Sequence, residues 1–298
     1  MSAVEVGEDE PRAARRAGRL GFFSGWTLVP LGQAVSGRYK GRLAVVLAGV
    51  AGYVNVVTLV YLGAMTSHLS GTVTHLGQSL VQTVEGQPAW LLAYWVLLVV
   101  AFFVGAMTSA CITETTAGRR RIVRAVGLEA GVLALVALGM TFPGPAAAET
   151  LTTLPVAMTL AASFAMGLQN ATITRVSRAV VRTTHVTGIV TDMGIEAGAF
   201  LTWAARRHPL RETGWHPVRL VKLLRAQEAF RRFALHGRLL LGFFVGAIGG
   251  TLGLQLSPGG CLWLPVAVLA AVACREALLH RHDAPVDTNA DVKAKARG

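Results

Sequence analysis

The chain has 298 residues, of which 53% are hydrophobic and only 15% charged, and its formal net charge is +12. Roughly a quarter of the residues in a soluble domain are charged, so the composition argues against a soluble globular protein and for an integral membrane protein. The basic excess taken alone would suit nucleic-acid binding, but its placement along the chain matches the positive-inside bias of a membrane protein, and no nucleic-acid partner is expected.

The first ten residues contain Glu5, Glu8, Asp9 and Glu10 instead of the basic start of a secretory signal. Residues 21–35 are apolar but short, and Pro30 and glycines interrupt them, so 1–42 is expected to be a cytoplasmic or interfacial segment. Six apolar runs follow, at 43–63, 89–111, 122–142, 154–173, 238–256 and 261–279. Most are long enough for a hydrocarbon core of about 30 Å. The last is interrupted by Arg275 and Glu276, which can snorkel. Two further segments, 70–85 and 186–204, begin at Ser70-Gly71-Thr72 and Thr187-Gly188-Ile189. The first is short, and the second contains Asp192 and Glu196.

Charge placement decides how these two segments are read. All 28 Lys and Arg residues fall in four blocks, and six spans with both termini inside put every block on the cytoplasmic side. Letting either doubtful segment span alone would send a basic block outside. Both are therefore expected to be half-helices or re-entrant elements. The basic loop at 204–237 and the tail at 281–298 are expected in the cytoplasm of a bacterial cell, with the protein in its inner membrane.

Three landmarks recur in the same order. Gly52-Tyr53-Val54-Asn55 answers Gly167-Leu168-Gln169-Asn170, His68-Leu69-Ser70-Gly71-Thr72 answers His185-Val186-Thr187-Gly188-Ile189, and the pentad Phe102–Ala106 recurs as Phe243–Ala247. The expected fold is thus all-α, with six transmembrane helices arranged as two inverted three-helix repeats. Repeat 1 covers about 43–145 and repeat 2 about 154–280 of a single membrane domain, each with an extra half-helix. Secondary transporters use this plan, with sites near the midplane at discontinuous helices.

The candidate site follows from the broken helices. A break inside a membrane leaves backbone groups that must be buried or line a wet cavity. The N-terminus of the following half-helix favours anionic groups. Ser70, Gly71, Thr72, Thr187 and Gly188 are expected to frame a substrate site, or else only to cap the turns. His68, His185, Arg182 and Thr184 flank it. Asn55 and Asn170 either hydrogen-bond neighbouring helices or face each other at the centre. Glu129 either pairs with an arginine or couples protons. Asp192 and Glu196 share one helix face, turned to the cytoplasm or forming an inner gate. The histidines lack metal-ligand spacing, and no metal or cofactor is expected. Cys111, Cys261 and Cys274 are expected as small buried hydrophobes. With no Walker loop, nucleophile elbow or zinc-protease motif, no enzyme is expected.

Gly167-Leu168-Gln169-Asn170-Ala171 and Arg182-Thr183-Thr184-His185-Val186-Thr187-Gly188 resemble motifs of the YoaK family of bacterial membrane proteins, over about residues 43–280. The family's first span usually carries an aspartate where this chain has Asn55, and its Thr-Gly-Asn turn is Ser70-Gly71-Thr72 here. The resemblance implies a multi-pass membrane protein and names no substrate. The expected function is a small-solute permease with its site between the repeats. The alternative is a non-transporting membrane partner acting through the basic loop on anionic lipid or an acidic protein. Expected partners are membrane lipids and a small solute, and a homo-oligomer is compatible with the sequence.

Overall fold

The structure is a computed structural model and describes residues 34–86, 88–116, 118–141, 153–176, 185–207 and 227–283. The described residues form eight helices and no strand: α1 (Ala34–Leu62), α2 (Leu69–Val84), α3 (Ala89–Thr115), α4 (Arg120–Thr141), α5 (Thr153–Val176), α6 (Val186–Arg207), α7 (Glu228–Leu256) and α8 (Trp263–Asp283). The described residues from Tyr39 onward belong to one compact unit.

Local chemistry explains where the helices start and stop. Pro88 precedes α3, and Pro155 and Pro265 lie in the first turns of α5 and α8, where a missing N–H costs nothing. Gly63, with φ of 76°, closes α1: its N–H donates to the Leu59 carbonyl, the bond of an αL cap, and Ala64 N–H donates to the Thr58 carbonyl.

Among the described residues five helices are long and apolar enough to cross a membrane: α1 from Gly41, α3, α4, α5 to Arg175, and α7. The sixth expected run, 261–279, forms α8 but is not among the five. The segment expected at 70–85 is the 16-residue α2. That expected at 186–204 is α6, whose 22 residues extend about 33 Å, longer than a half-helix requires. The expected loop at 204–237 is shorter, because α6 continues to Arg207 and α7 begins at Glu228. The expected tail also starts later, since α8 runs to Asp283. The approach segment up to residue 33, the heart of the basic loop (208–226) and the tail from 284 lie outside the described residues.

α1 and α5 are the inner helices, with 61% of each span buried, against 28% for α3 and 11% for α7. α3 packs along α5, α4 packs on α5 and α8, α2 on α3, and α6 on α7. Glycines make the closest approaches. A Cβ at Gly167 of α5 would meet the Phe102 carbonyl of α3, and one at Gly105 would meet that of Phe164. In the same way, a Cβ at Gly52 of α1 would meet the Phe243 carbonyl of α7, and one at Gly246 that of Gly49. Small residues give close helix contact, which dispersion rewards in a membrane. Polar links reinforce the α3–α5 pair: Ser163 Oγ donates to the Leu98 carbonyl at 3.0 Å, and Ser109 and Thr172 hydroxyls lie 2.8 Å apart. The outward faces are apolar, with Phe103, Leu97, Phe244 and Leu252 exposed, as suits helices solvated by lipid. The cysteines divide: Cys261 is buried, while Cys111 and Cys274 are exposed and so are not the buried hydrophobes expected.

Candidate functional site

The N-termini of α2 and α6 open on one cavity of about 330 Å³, lined by Ser67, His68, Leu69, Ser70, Phe102, Asn170, His185, Val186 and Thr187. Two segments more than a hundred residues apart thus contribute matching residues to one space. His68 and His185 precede their helices, and each backbone carbonyl accepts the first helical hydrogen bond, from Thr72 and Ile189 at 3.2 and 3.0 Å. No side chain caps α2, so its first N–H groups keep their capacity to donate.

The glycines of the two turns have a specific role. A Cβ at Gly71 would stand 2.7 Å from Cδ2 of His68, and a Cβ at Gly188 would meet the His185 ring. Each imidazole folds over the first turn of its helix, and the glycine leaves room for it.

The expected site residues divide into groups. His68, Ser70, Asn170, His185 and Thr187 line the cavity. Asn170 Oδ1 is buried with no hydrogen-bond partner among the described residues. Asn55 is not in the lining. Its Oδ1 accepts from Ser67 Oγ at 2.8 Å and Ser67 N at 3.4 Å, so it holds the loop that presents Ser67 to the cavity. A bond between the Thr58 and Thr66 hydroxyls at 3.2 Å braces the same loop. Thr72 is buried and its hydroxyl donates back to the His68 carbonyl at 3.3 Å. Gly71 and Gly188 sit behind the histidines. Arg182 and Thr184 lie outside the described residues.

Ser67, Leu69, Phe102 and Val186 complete the wall and were not singled out from the sequence. Phe102 opens the repeated pentad, which was the available signal. Among the described residues no group of three His, Cys, Asp or Glu could hold a metal ion.

Away from the cavity, Glu129 of α4 is fully buried, and neither carboxylate oxygen has a hydrogen-bond partner among the described residues, so the arginine pairing considered for it is not found. Glu196 meets His236 of α7, with Oε2 3.0 Å from Nδ1. At the start of α4, Arg119 pairs with the fully buried Glu276 of α8 at 3.0 Å and stacks over Tyr39, as does Arg275.

A model of a protein family of unknown function, DUF1275, matches residues 43–275, most of the chain. The chain belongs to this family and is a multi-pass membrane protein. No curated protein and no solved structure matches it.

Proposed function

We propose that this DUF1275 member is a small-solute permease of the bacterial inner membrane, with the cavity at the α2 and α6 N-termini as its solute site. The observation that carries the reading is that both broken-helix turns, placed alike in the two halves, open on the same polar space. Pockets of about 300 Å³ and upward hold small molecules. At about 30 Å³ per water, the cavity of about 330 Å³ has room for roughly ten waters or a solute of similar size.

The lining suggests the solute's chemistry. The described wall has two imidazoles, three hydroxyls, one amide and the apolar Leu69, Phe102 and Val186, with no carboxylate and no Lys or Arg. Helix N-termini direct N–H groups and positive dipole ends toward it. Together they favour a small anion or a neutral polar metabolite over a cation. The reading assigns no catalysis.

The finer architecture of this proposal is six spans in two inverted repeats, α1–α4 and α5–α8, with both termini cytoplasmic. What supports it is the matched glycine contacts: Gly52 on Phe243 as Gly167 on Phe102, and Gly246 on Gly49 as Gly105 on Phe164. An odd number of spans per half inverts the second copy. The YoaK resemblance is compatible with it, since its motifs fall within the residues matched by the family model.

The test is uptake by purified protein in liposomes, screened with small anions and neutral metabolites. Saturable uptake that is lost on Gly71→Val and Gly188→Val, which displace the two imidazoles, supports the reading. A broad screen without uptake, with both replacements tolerated in cells, overturns it.

A further inference from the structure

The two halves differ at one pair of matching positions. Asp192 and Glu196 follow His185 by seven and eleven residues, as His75 and Ser79 follow His68. His236 precedes Phe243 by seven residues, as Trp95 precedes Phe102. In the first half this place holds an aromatic stack, His75 on Trp95 with ring centroids 4.6 Å apart. In the second half it holds a buried imidazole between two carboxylates. His236 Nδ1 is 3.0 Å from Glu196 Oε2, and Nε2 is 4.0 Å from Asp192 Oδ2.

We propose that His236, Asp192 and Glu196 form a proton-binding site that fastens α6 to α7 and, through α6, controls the wall of the cavity. A neutral imidazole donates from one nitrogen and accepts at the other. Between two carboxylates it satisfies one and turns a lone pair toward the second. The doubly protonated ring donates to both sides and carries the charge that two neighbouring carboxylates require. The proton is therefore the ligand of this contact. His236 is 6% exposed, whereas the Asp192 side chain is 56% exposed, so the aspartate is the route by which a proton enters and leaves.

On α7, Arg232 lies one turn before His236 and pairs with Glu228. From α1, which meets this stretch where Gly41 faces Leu235, the nearest described charged residue is Arg42, and it is exposed. α7 is the least buried span, and it meets α6 at this contact, at Phe200 on Phe230 and where Met193 faces Gly237.

Coupling to the cavity follows from helix rigidity. Glu196 and Val186 are ten residues apart on one uninterrupted helix, about 15 Å. Loss of the proton leaves the ring able to satisfy only one carboxylate, which loosens α6 and lets its first turn, with Val186 and Thr187, shift in the wall. If the permease proposal holds, the site couples solute movement to a proton, and the matching place in the first half, His75, Ser79 and Trp95, carries no carboxylate.

The test is hydrogen exchange of the intact protein in nanodiscs at pH 6 and pH 8, corrected for intrinsic exchange rates. Amides of α6 are expected to lose about tenfold protection at the higher pH, the factor carried by one charge-assisted hydrogen bond. Amides of α2 are expected not to change. His236→Gln and Asp192→Asn should each abolish the α6 dependence. Glu196→Gln supplies an independent variant if one of these fails to fold. Equal α6 protection at both pH values, or a dependence that survives His236→Gln, overturns the proposal. This readout needs no solute, so absence of uptake would overturn the permease reading while the proton-dependent contact stood.

Discussion

Replacement of Gly167 by alanine tests the packing on which the architecture rests. A Cβ there would stand 2.8 Å from the carbonyl carbon of Phe102 and 3.0 Å from its Cα. The favourable separation of carbon atoms is about 3.5–4.0 Å, so α3 and α5 must part by roughly 1 Å. The obstacle is backbone, which cannot rotate aside as a side chain can. Overpacking of this kind costs about 1–3 kcal/mol, and the helix propensity of alanine returns up to about 1 kcal/mol. The net loss is about 1–2 kcal/mol, read as a lowered midpoint of SDS-induced unfolding in mixed micelles. Gly52→Ala should lose a similar amount, because its Cβ would stand 2.8 and 3.1 Å from the same two atoms of Phe243. Gly127→Ala and Gly131→Ala, with nothing within 4 Å, should be neutral or stabilising. A Gly167→Ala protein as stable as the parent refutes the close-packing argument. A loss at Gly167 without one at Gly52 refutes the equivalence of the two helix pairs.

Further outcomes follow from single contacts. Asn55→Ala removes both hydrogen bonds to Ser67 and should cost about 1–2 kcal/mol of stability, whereas Asn170→Ala, whose Oδ1 has no partner among the described residues, should leave stability unchanged and weaken solute uptake; thermal unfolding alongside transport separates the two. Arg119→Ala removes the nearer partner of the buried Glu276 carboxylate, leaving Arg275 at 3.9 Å, and should cost about 1–2 kcal/mol, and Glu276→Gln in the same chain should recover much of it. Burial, and then the Glu276 carboxylate beside it, push the Tyr39 phenol above the ordinary tyrosine range against the pull of Arg119 and Arg275. A raised folded value means that this contribution is present below about pH 10 and is lost as the pH rises through the folded value, so Tyr39→Phe should flatten the alkaline limb of the stability profile. Reporter fusions after residues 147 and 258 should report outside and one after 215 inside; an outside signal at 215 overturns the six-span reading.

Much of the fold was legible because membrane helices declare themselves locally. Apolar length located α1, α3, α4 and α5 to within a few residues, apart from the nine-residue early start of α1. The boundary of α7 was harder, because its first ten residues are polar enough to pass for loop, and they are helical because they pair with α6 through His236 and Phe230. The repeated turns pointed to His68, Ser70, His185 and Thr187. Asn55 and Asn170, alike in sequence, part company in space: one braces Ser67 and the other faces the cavity.

By itself the sequence determined that the chain is helical, apolar and multi-pass, since hydropathy and capping are sums over neighbouring residues. It also marked the two turns that matter, through a repeat visible by comparison of short strings. Only the tertiary structure decided that these turns meet and that His236 joins Asp192 and Glu196. Those facts depend on contacts between segments forty to more than a hundred residues apart, and such distances are set by how the helices pack, which no local pattern encodes.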